Sequence, residues 1–187
     1  MELRSVSGPR EEAILDPEAT ALRARDDRDA FASLYVRHRE TVFRYLRARC
    51  PSDDDAFELT AVTFEKALAA MPRYTTRGGG IVAWLLRIAR NAVIDQERRR
   101  RPLIPLWKGE DPAAPDRGPE AASIESEERR TLRLLLADLP AVQRDAIALR
   151  YAADLTASEI GLVIGRSEAA TQKLIRRAVE RLREGLS

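Results

Sequence analysis

The segment Ala83-Trp84-Leu85-Leu86-Arg87-Ile88-Ala89-Arg90-Asn91-Ala92-Val93-Ile94-Asp95 runs on into Arg98-Arg99-Arg100-Arg101. Wound at about 100° per residue, it divides into two faces. Ile81, Leu85, Ile88, Ala89, Ala92 and Val93 form an apolar stripe that needs a core. Arg87, Arg90, Asn91, Ile94 and Arg98 line the other side, with Trp84 at its border. Fixed cations hold phosphates, an amide pairs with a base edge, and an indole stacks on an unpaired base. These groups suit a nucleic-acid strand. The plain alternative is an Arg-rich face turned to solvent, and a second motif weighs against it.

That motif spans residues 155–178, from Leu155-Thr156 to Arg177-Ala178. Thr156 and Glu159 have capping-box spacing, which starts a short helix. Ile160 and Val163 face inward, and Gly165 stands where a tight turn needs a residue without a β-carbon. Ser167 caps the next helix, in which Leu174, Ile175, Ala178 and Leu182 pack. Ala169, Gln172, Lys173, Arg176 and Arg177 are left outside. The pattern is a helix-turn-helix, whose second helix lies in the major groove with its first residues on base edges.

The two motifs need two supports. The chain has 187 residues, enough for one domain or two small ones, with 33% charged residues and a net charge of only +2. The charge is unevenly placed. Residues 87–101 carry six Arg against two acids, and residues 166–183 carry six Arg or Lys against two Glu. Between them, residues 108–128 carry seven acids against Lys108 and Arg117. Two basic patches around an acidic spacer point to two contacts with one polyanion. Cys50 is the only cysteine and His38 the only histidine, which removes disulfides, zinc sites and Cys–His or Ser–His–Asp nucleophiles. No metal, cofactor, small-molecule substrate or enzymatic activity is expected of this chain. His38 falls on the stripe Phe31, Leu34, Tyr35, His38, Val42, Tyr45 and reads as a core residue. The opening Met-Glu-Leu-Arg-Ser makes no hydrophobic h-region, and no apolar run reaches the length of a membrane span. A cytoplasmic chain without membrane insertion is expected.

Every periodic stretch is helical and none alternates like a strand, so the fold class is all-α. Residues 1–15 show no periodicity and read as a mobile tail. Asp16-Pro17-Glu18 starts one helix and a second runs from about Asp29 to Arg49. Pro51-Ser52-Asp53-Asp54-Asp55 breaks the chain and caps a third, which Pro72 ends. Arg77-Gly78-Gly79-Gly80 reads as a hinge, because no Gly-Lys-Ser/Thr follows to make a P-loop. Residues 102–122 hold five of the ten prolines and have linker composition. The expected organisation is a first helical domain over 16–101, a flexible Pro-rich acidic linker over 102–122, and a second helical domain over 123–187. Each domain is expected to have its own modest core.

With these residues in place, the chain resembles bacterial RNA polymerase sigma factors of the extracytoplasmic-function (ECF) group. Four stretches carry the likeness, in order: Asp29-Ala-Phe-Ala-Ser-Leu-Tyr-Val-Arg-His, Asp55-Ala-Phe-Glu-Leu-Thr-Ala-Val-Thr-Phe, the Ala83–Asp95 segment, and Asp138-Leu-Pro-Ala-Val-Gln-Arg-Asp-Ala-Ile-Ala-Leu-Arg-Tyr with the helix-turn-helix. They are similar to regions 2.1, 2.2, 2.3–2.4 and 4 of that family. The resemblance implies a transcription initiation factor that binds core RNA polymerase and directs it to promoter DNA. The region 2 domain would take the minus-10 element as single strand, and region 4 the minus-35 element as duplex. It places Asn91 at the flipped minus-10 base; Trp84, Arg87, Arg90 and Arg98, taken from the stripe, are its neighbours. Arg150, Gln172, Lys173, Arg176 and Arg177 match positions at the minus-35 duplex. Docking on core polymerase falls to Glu58, Leu59 and Val62 in the region 2.2 helix, where Ala61 and Val62 replace the family's usual Gln-Glu pair. An anti-sigma factor is an expected partner.

Two other readings compete. A polymerase-independent helix-turn-helix regulator explains residues 155–178 equally well but leaves the Trp84–Arg98 stripe without work. A DNA-cleaving or recombining enzyme needs a carboxylate cluster beside a nucleophile, and Asp53-Asp54-Asp55 reads instead as a loop and helix cap.

Overall fold

A computed structural model describes residues 16–76, 78–100 and 127–186. The tail expected over 1–15, the linker over 102–122 and Arg101 lie outside the described residues. Eight α-helices and one 3-10 turn make up the secondary structure of the described residues: α1 (Pro17–Arg23), α2 (Arg28–Arg49), α3 (Asp53–Ala70), a 3-10 turn (Met71–Arg73), α4 (Gly80–Arg100), α5 (Glu127–Asp138), α6 (Ala141–Tyr151), α7 (Ala157–Ile164) and α8 (Glu168–Leu186).

Local chemistry sets most of the boundaries. Asp16 caps α1, accepting from the Glu18 amide at 3.1 Å, and Pro17 takes the first helical position. Asp27 accepts from the amides of Asp29 and Ala30 at the start of α2. These two backbone bonds hold its carboxyl below the usual range. Ser52 caps α3 through the Asp55 amide, and Asp53, Asp54 and Asp55 fill the first turn, where the helix dipole favours acids. Pro72 turns the end of α3 into the 3-10 turn. Thr156 and Glu159 complete the capping box of α7, and Gly165 ends that helix in the left-handed region at φ 73°. The Ser167 hydroxyl accepts from the Ala170 amide to start α8.

Helices α2, α3 and α4 pack against one another, with α1 laid across α2 and α4. Leu34, Tyr45, Leu46, Met71, Tyr74, Ile81, Leu85 and Leu86 fill the space between them. His38 is buried here, as its place on the α2 stripe implies, and burial pushes its pKa down to about 4. In the second half, α6, α7 and α8 pack around Ala146, Leu149, Ile160, Val163 and Ala178. The two halves do not keep separate cores. α4 packs on α7 and α2 on α6, and one apolar cluster runs from Ala21 through Val93 into Ala146, Leu149, Leu155 and Val163. A smaller cluster of Leu139, Ile147 and Ala178 lies beyond it. The expectation of two self-contained cores is corrected: buried apolar residues of both halves meet in one cluster, and the pair gains burial by sharing it.

The triple glycine has a different task from the hinge that its composition suggests. Gly79 stands at φ 92°, and a β-carbon there would lie 2.8 Å from Leu162 of α7. The loop is the floor on which the second half rests. α4 then begins under a tertiary cap: Glu18 of α1 accepts from the Ile81 amide with one carboxylate oxygen and from the Tyr74 hydroxyl, at 2.7 Å, with the other.

Candidate nucleic-acid interface

The exposed stripe of α4 is positioned by the burial of its opposite face. Ile81, Leu85, Ala89, Ala92 and Val93 are buried, so Arg87, Asn91 and Arg98 point outward and Trp84 lies half-buried at the edge. The Trp84 ring stands edge-on to Tyr74, with centroids 5.1 Å apart and planes at 69°. Tyr74 is itself buried and tied to Glu18, which fixes the indole in place. Trp84 and Arg87, together with Arg73, Tyr74 and Thr75, line a cavity of about 270 Å³. A flat aromatic wall beside cations is the arrangement that takes an unstacked base and its phosphate. Arg73 and Thr75 add to the site and were not singled out in the sequence. Their place beside Tyr74, just after the helix-ending Pro72, was the available clue.

Arg90 behaves differently from its neighbours. It lies about 60° around the helix from Arg87, on the border with the core stripe. There its Nε donates to Asp145 Oδ2 of α6 at 2.8 Å. Asp145 Oδ1 accepts from Arg49 Nε at 2.7 Å and from the Tyr45 hydroxyl at 3.1 Å. Arg49 Nη2 also reaches Glu97 Oε1 at 3.2 Å. The Arg49 and Asp145 side chains are 1% and 2% exposed, and Arg90 is 22% exposed. Burial works to lower the Arg49 pKa, but Asp145, Tyr45 and Glu97 together outweigh it and the guanidinium stays charged. Burial, then the Asp145 charge, pushes the Tyr45 phenol well above its ordinary value. The structure thus brings Trp84 and Arg87 together, leaves Asn91 and Arg98 exposed beside them, and withdraws most of Arg90 into an ion cluster.

On α8, Gln172, Lys173, Arg176 and Arg177 are all exposed, while Thr171 and Ala178 face inward. Arg150 comes from α6, and its Nη1 donates to the Leu155 carbonyl at 2.9 Å, so its stem is fixed by the α6–α7 connection. Arg150, Gln172 and Arg176 border one open depression with Thr156 and Glu168. Gln172 Nε2 donates to Glu168 at 3.2 Å, and Arg176 lies 3.7 Å from Glu180. Exposed pairs of this kind are worth little and yield readily to a phosphate or base. Lys173 and Arg177 lie on the adjoining stripe outside that depression. Arg100, the last residue of α4, is paired with Asp55.

Helix α3, on which docking to polymerase is expected, has a different phase from the one expected. Glu58 is exposed, but Leu59 is 5% exposed and sits in the core, and Val62 packs partly against that core. A direct docking contact by Leu59 is therefore corrected: its side chain is spent on the fold. The outward face carries Phe57, Glu58, Ala61 and Leu68 instead. Phe57 is 61% exposed and stacked on Phe43, with centroids 4.5 Å apart. Exposed aromatics rimmed by charge mark protein-binding surfaces. Among the described residues, no group of three or more His, Cys, Asp or Glu side chains could hold a metal ion, and no helix is long and apolar enough to cross a membrane.

Comparison with known proteins agrees with this geometry. Residues 34–102 match the family model for Sigma-70 region 2, and residues 135–184 that for Sigma-70, region 4. The ECF RNA polymerase sigma factor SigD of Mycobacterium tuberculosis strain H37Rv is 32% identical over 190 residues, covering 96% of this chain and 85% of that protein. The ECF RNA polymerase sigma factor BldN of Streptomyces coelicolor is 34% identical over 156 residues; the match takes in 82% of this chain but only 59% of BldN. Among solved structures, CnrH in complex with the cytosolic domain of CnrY is similar at TM-score 0.71 and 25% identity, over 91% of this chain and 97% of that one. RpoE in complex with the anti-sigma factor NepR from Bartonella quintana shares the fold at TM-score 0.67 and 24% identity, over 83% of this chain and 96% of that one. An Asn- and Trp-bearing basic helix, a capped helix-turn-helix and two matched regions in their order place this chain in the extracytoplasmic-function group of the sigma-70 family, whose members are transcription factors rather than enzymes.

Proposed function

We propose that this protein binds core RNA polymerase and directs it to particular promoters, reading minus-10 as single strand and minus-35 as duplex. The observation that carries this reading is the α4 surface, where a fixed indole and the Arg87 cation line a cavity fit for an unstacked base and the exposed Asn91 amide lies further along the same stripe. Arg98 extends the same stripe along the phosphates, and Arg90 joins it once freed from Asp145. On duplex DNA, Gln172, Lys173, Arg176 and Arg177 enter the major groove from α8, with Arg150 bracing the backbone. Core polymerase docks on α3 through Glu58 with Phe57, Ala61 and Leu68, and Val62 supports that face from beneath. An anti-sigma factor is the expected inhibitor of these surfaces.

Run-off transcription with purified core polymerase on fragments of genomic DNA tests the reading. Discrete transcripts that depend on this protein support it. Sequence-specific binding to duplex without core, and no transcript with it, would favour a polymerase-independent regulator.

A further inference from the structure

The cavity beside Trp84 has two walls, and they come from different elements. Trp84 and Arg87 stand on α4, while Arg73, Tyr74 and Thr75 belong to the 3-10 turn and the chain leaving it. The separation of these walls decides whether a flat base fits between them. One side chain from a third element touches both. Glu18 of α1 accepts from the Ile81 amide, in the first turn of α4, with Oε1, and from the Tyr74 hydroxyl with Oε2 at 2.7 Å. We infer that Glu18 is a positioning residue for strand reading, whose carboxylate holds the two walls of the cavity at their working separation before DNA arrives. The inference rests on the proposed function for what the cavity takes; the positioning itself is a matter of geometry.

Three observations carry it. A β-carbon on Gly80 would lie 2.5 Å from Glu18 Oε1, so the chain has no side chain at the point where the carboxylate enters. The Tyr74 ring is 2% exposed and edge-on to the indole at 5.1 Å, so any shift of Tyr74 passes directly to Trp84. Burial, then the bond to Glu18, pushes the Tyr74 phenol up, which keeps its hydroxyl a donor to the carboxylate. Finally, Glu18 is presented from a fixed base: Thr20 and Ala21 are buried, and α1 packs on both α2 and α4. α1 lies outside residues 34–102, the stretch matched to Sigma-70 region 2, so the contact gives a helix beyond that stretch a part in reading DNA. A cavity ordered in the free protein binds more tightly, because its walls lose no further freedom when the ligand enters. The sign of the effect is diagnostic. A carboxylate near a polyanion opposes binding, so its removal should strengthen DNA binding if charge were its only influence. Positioning requires the opposite.

Three variants test this in holoenzyme assembled from core polymerase and the full chain, at temperatures where each is folded. The probe is a single-stranded oligonucleotide carrying the non-template minus-10 sequence of a promoter mapped by run-off transcription. Glu18→Ala should weaken its binding by about ten-fold or more, while core affinity and closed-complex binding stay within about two-fold. Glu18→Gln keeps an oxygen for the Ile81 amide and offers an N–H to the Tyr74 oxygen, so it should bind at least as well as wild type. Tyr74→Phe keeps the ring and the Ile81 contact, and should fall between them. In the free protein, with Trp107→Phe as background, acrylamide quenching of Trp84 should rise in Glu18→Ala and Tyr74→Phe but not in Glu18→Gln. Unchanged or stronger single-strand binding in folded Glu18→Ala overturns the inference, as does a Glu18→Gln defect equal to that of Glu18→Ala. If Glu18→Ala does not fold, Tyr74→Phe decides, and wild-type binding and quenching in that variant overturn the inference. Failure of the wild-type holoenzyme to transcribe or to bind single strand would count against the proposed function instead, leaving Trp84 quenching to decide the positioning.

Discussion

Leu59 and Phe57 are two positions apart on α3, and their substitution should separate folding from docking. Leu59 is 5% exposed in the shared core, so Leu59→Ala removes buried methyl groups and leaves a cavity, a loss of about 2–5 kcal/mol. For a chain of this size each kcal/mol lowers Tm by roughly 2–4 °C, so a fall of about 4–20 °C is expected. Its affinity for core polymerase, measured well below Tm, should stay within about two-fold. Phe57 is 61% exposed, leaving roughly 100 Å² of ring available to a partner. At about 25 cal/mol per Å² this area is worth up to about 2.5 kcal/mol if fully covered on docking. Phe57→Ala should therefore weaken core binding by about 10- to 60-fold. It should cost only about 1 kcal/mol of stability, through the lost stacking on Phe43. Fluorescence anisotropy against purified core and calorimetric melting of the free protein supply the two readouts. Full core affinity in Phe57→Ala, or a docking defect in a still-folded Leu59→Ala, would refute the assigned phase of α3.

Glu18→Ala removes two charge-assisted bonds at the start of α4, each worth about 1.5–3 kcal/mol, so Tm should fall by about 6 °C or more, and Trp84 fluorescence should change as Tyr74 loosens; an unchanged melting curve would remove the tertiary cap. The buried His38 resists protonation down to about pH 4, whereas an unfolded histidine takes up its proton near 6.5. Between those values the unfolded chain binds more protons, so this contribution is complete above about pH 6.5 and is lost as pH falls toward 4, by at most about 1–3 kcal/mol. Denaturant melts from pH 7 to 4.5 should show a smaller fall for His38→Leu than for wild type. Lys173→Ala should alter the preferred minus-35 sequence, with about 1–3 kcal/mol of discrimination at one base pair, while Arg98→Ala should weaken all promoters alike and reduce the salt slope by about one. An identical upstream motif selected from a promoter library by Lys173→Ala and wild type would contradict the α8 assignment.

What could be read from the sequence was local. Asp16, Ser52, Thr156 with Glu159, and Gly165 act within a turn of their own position, so their capping roles survive any tertiary arrangement. The α4 stripe was legible because its two faces differ sharply in polarity. On α3 both faces are partly apolar: Leu59 and Phe64 are buried, while Phe57 and Leu68 are exposed. Periodicity alone therefore does not distinguish the core side from the docking side. The remaining features depend on residues far apart in the chain. Glu18 looked like an ordinary first-turn acid until α1 brought it to the head of α4. Asp145 lies 55 residues from Arg90 and 96 from Arg49, and no spacing rule connects them. Gly78-Gly79-Gly80 reads as a hinge because glycine permits freedom, yet the same missing β-carbon permits the close approach of Leu162.

The central claim is that α4 reads an opened strand through Asn91 beside the Trp84 cavity. It is tested most directly by permanganate footprinting of melted promoter together with filter binding, for core polymerase carrying wild type or Asn91→Ala. Because Asn91 is exposed and supports no part of the core, Asn91→Ala should retain closed-complex binding at low temperature within about two-fold while losing open-complex formation by ten-fold or more. Equal loss at both steps, or normal melting without the amide, would contradict the account.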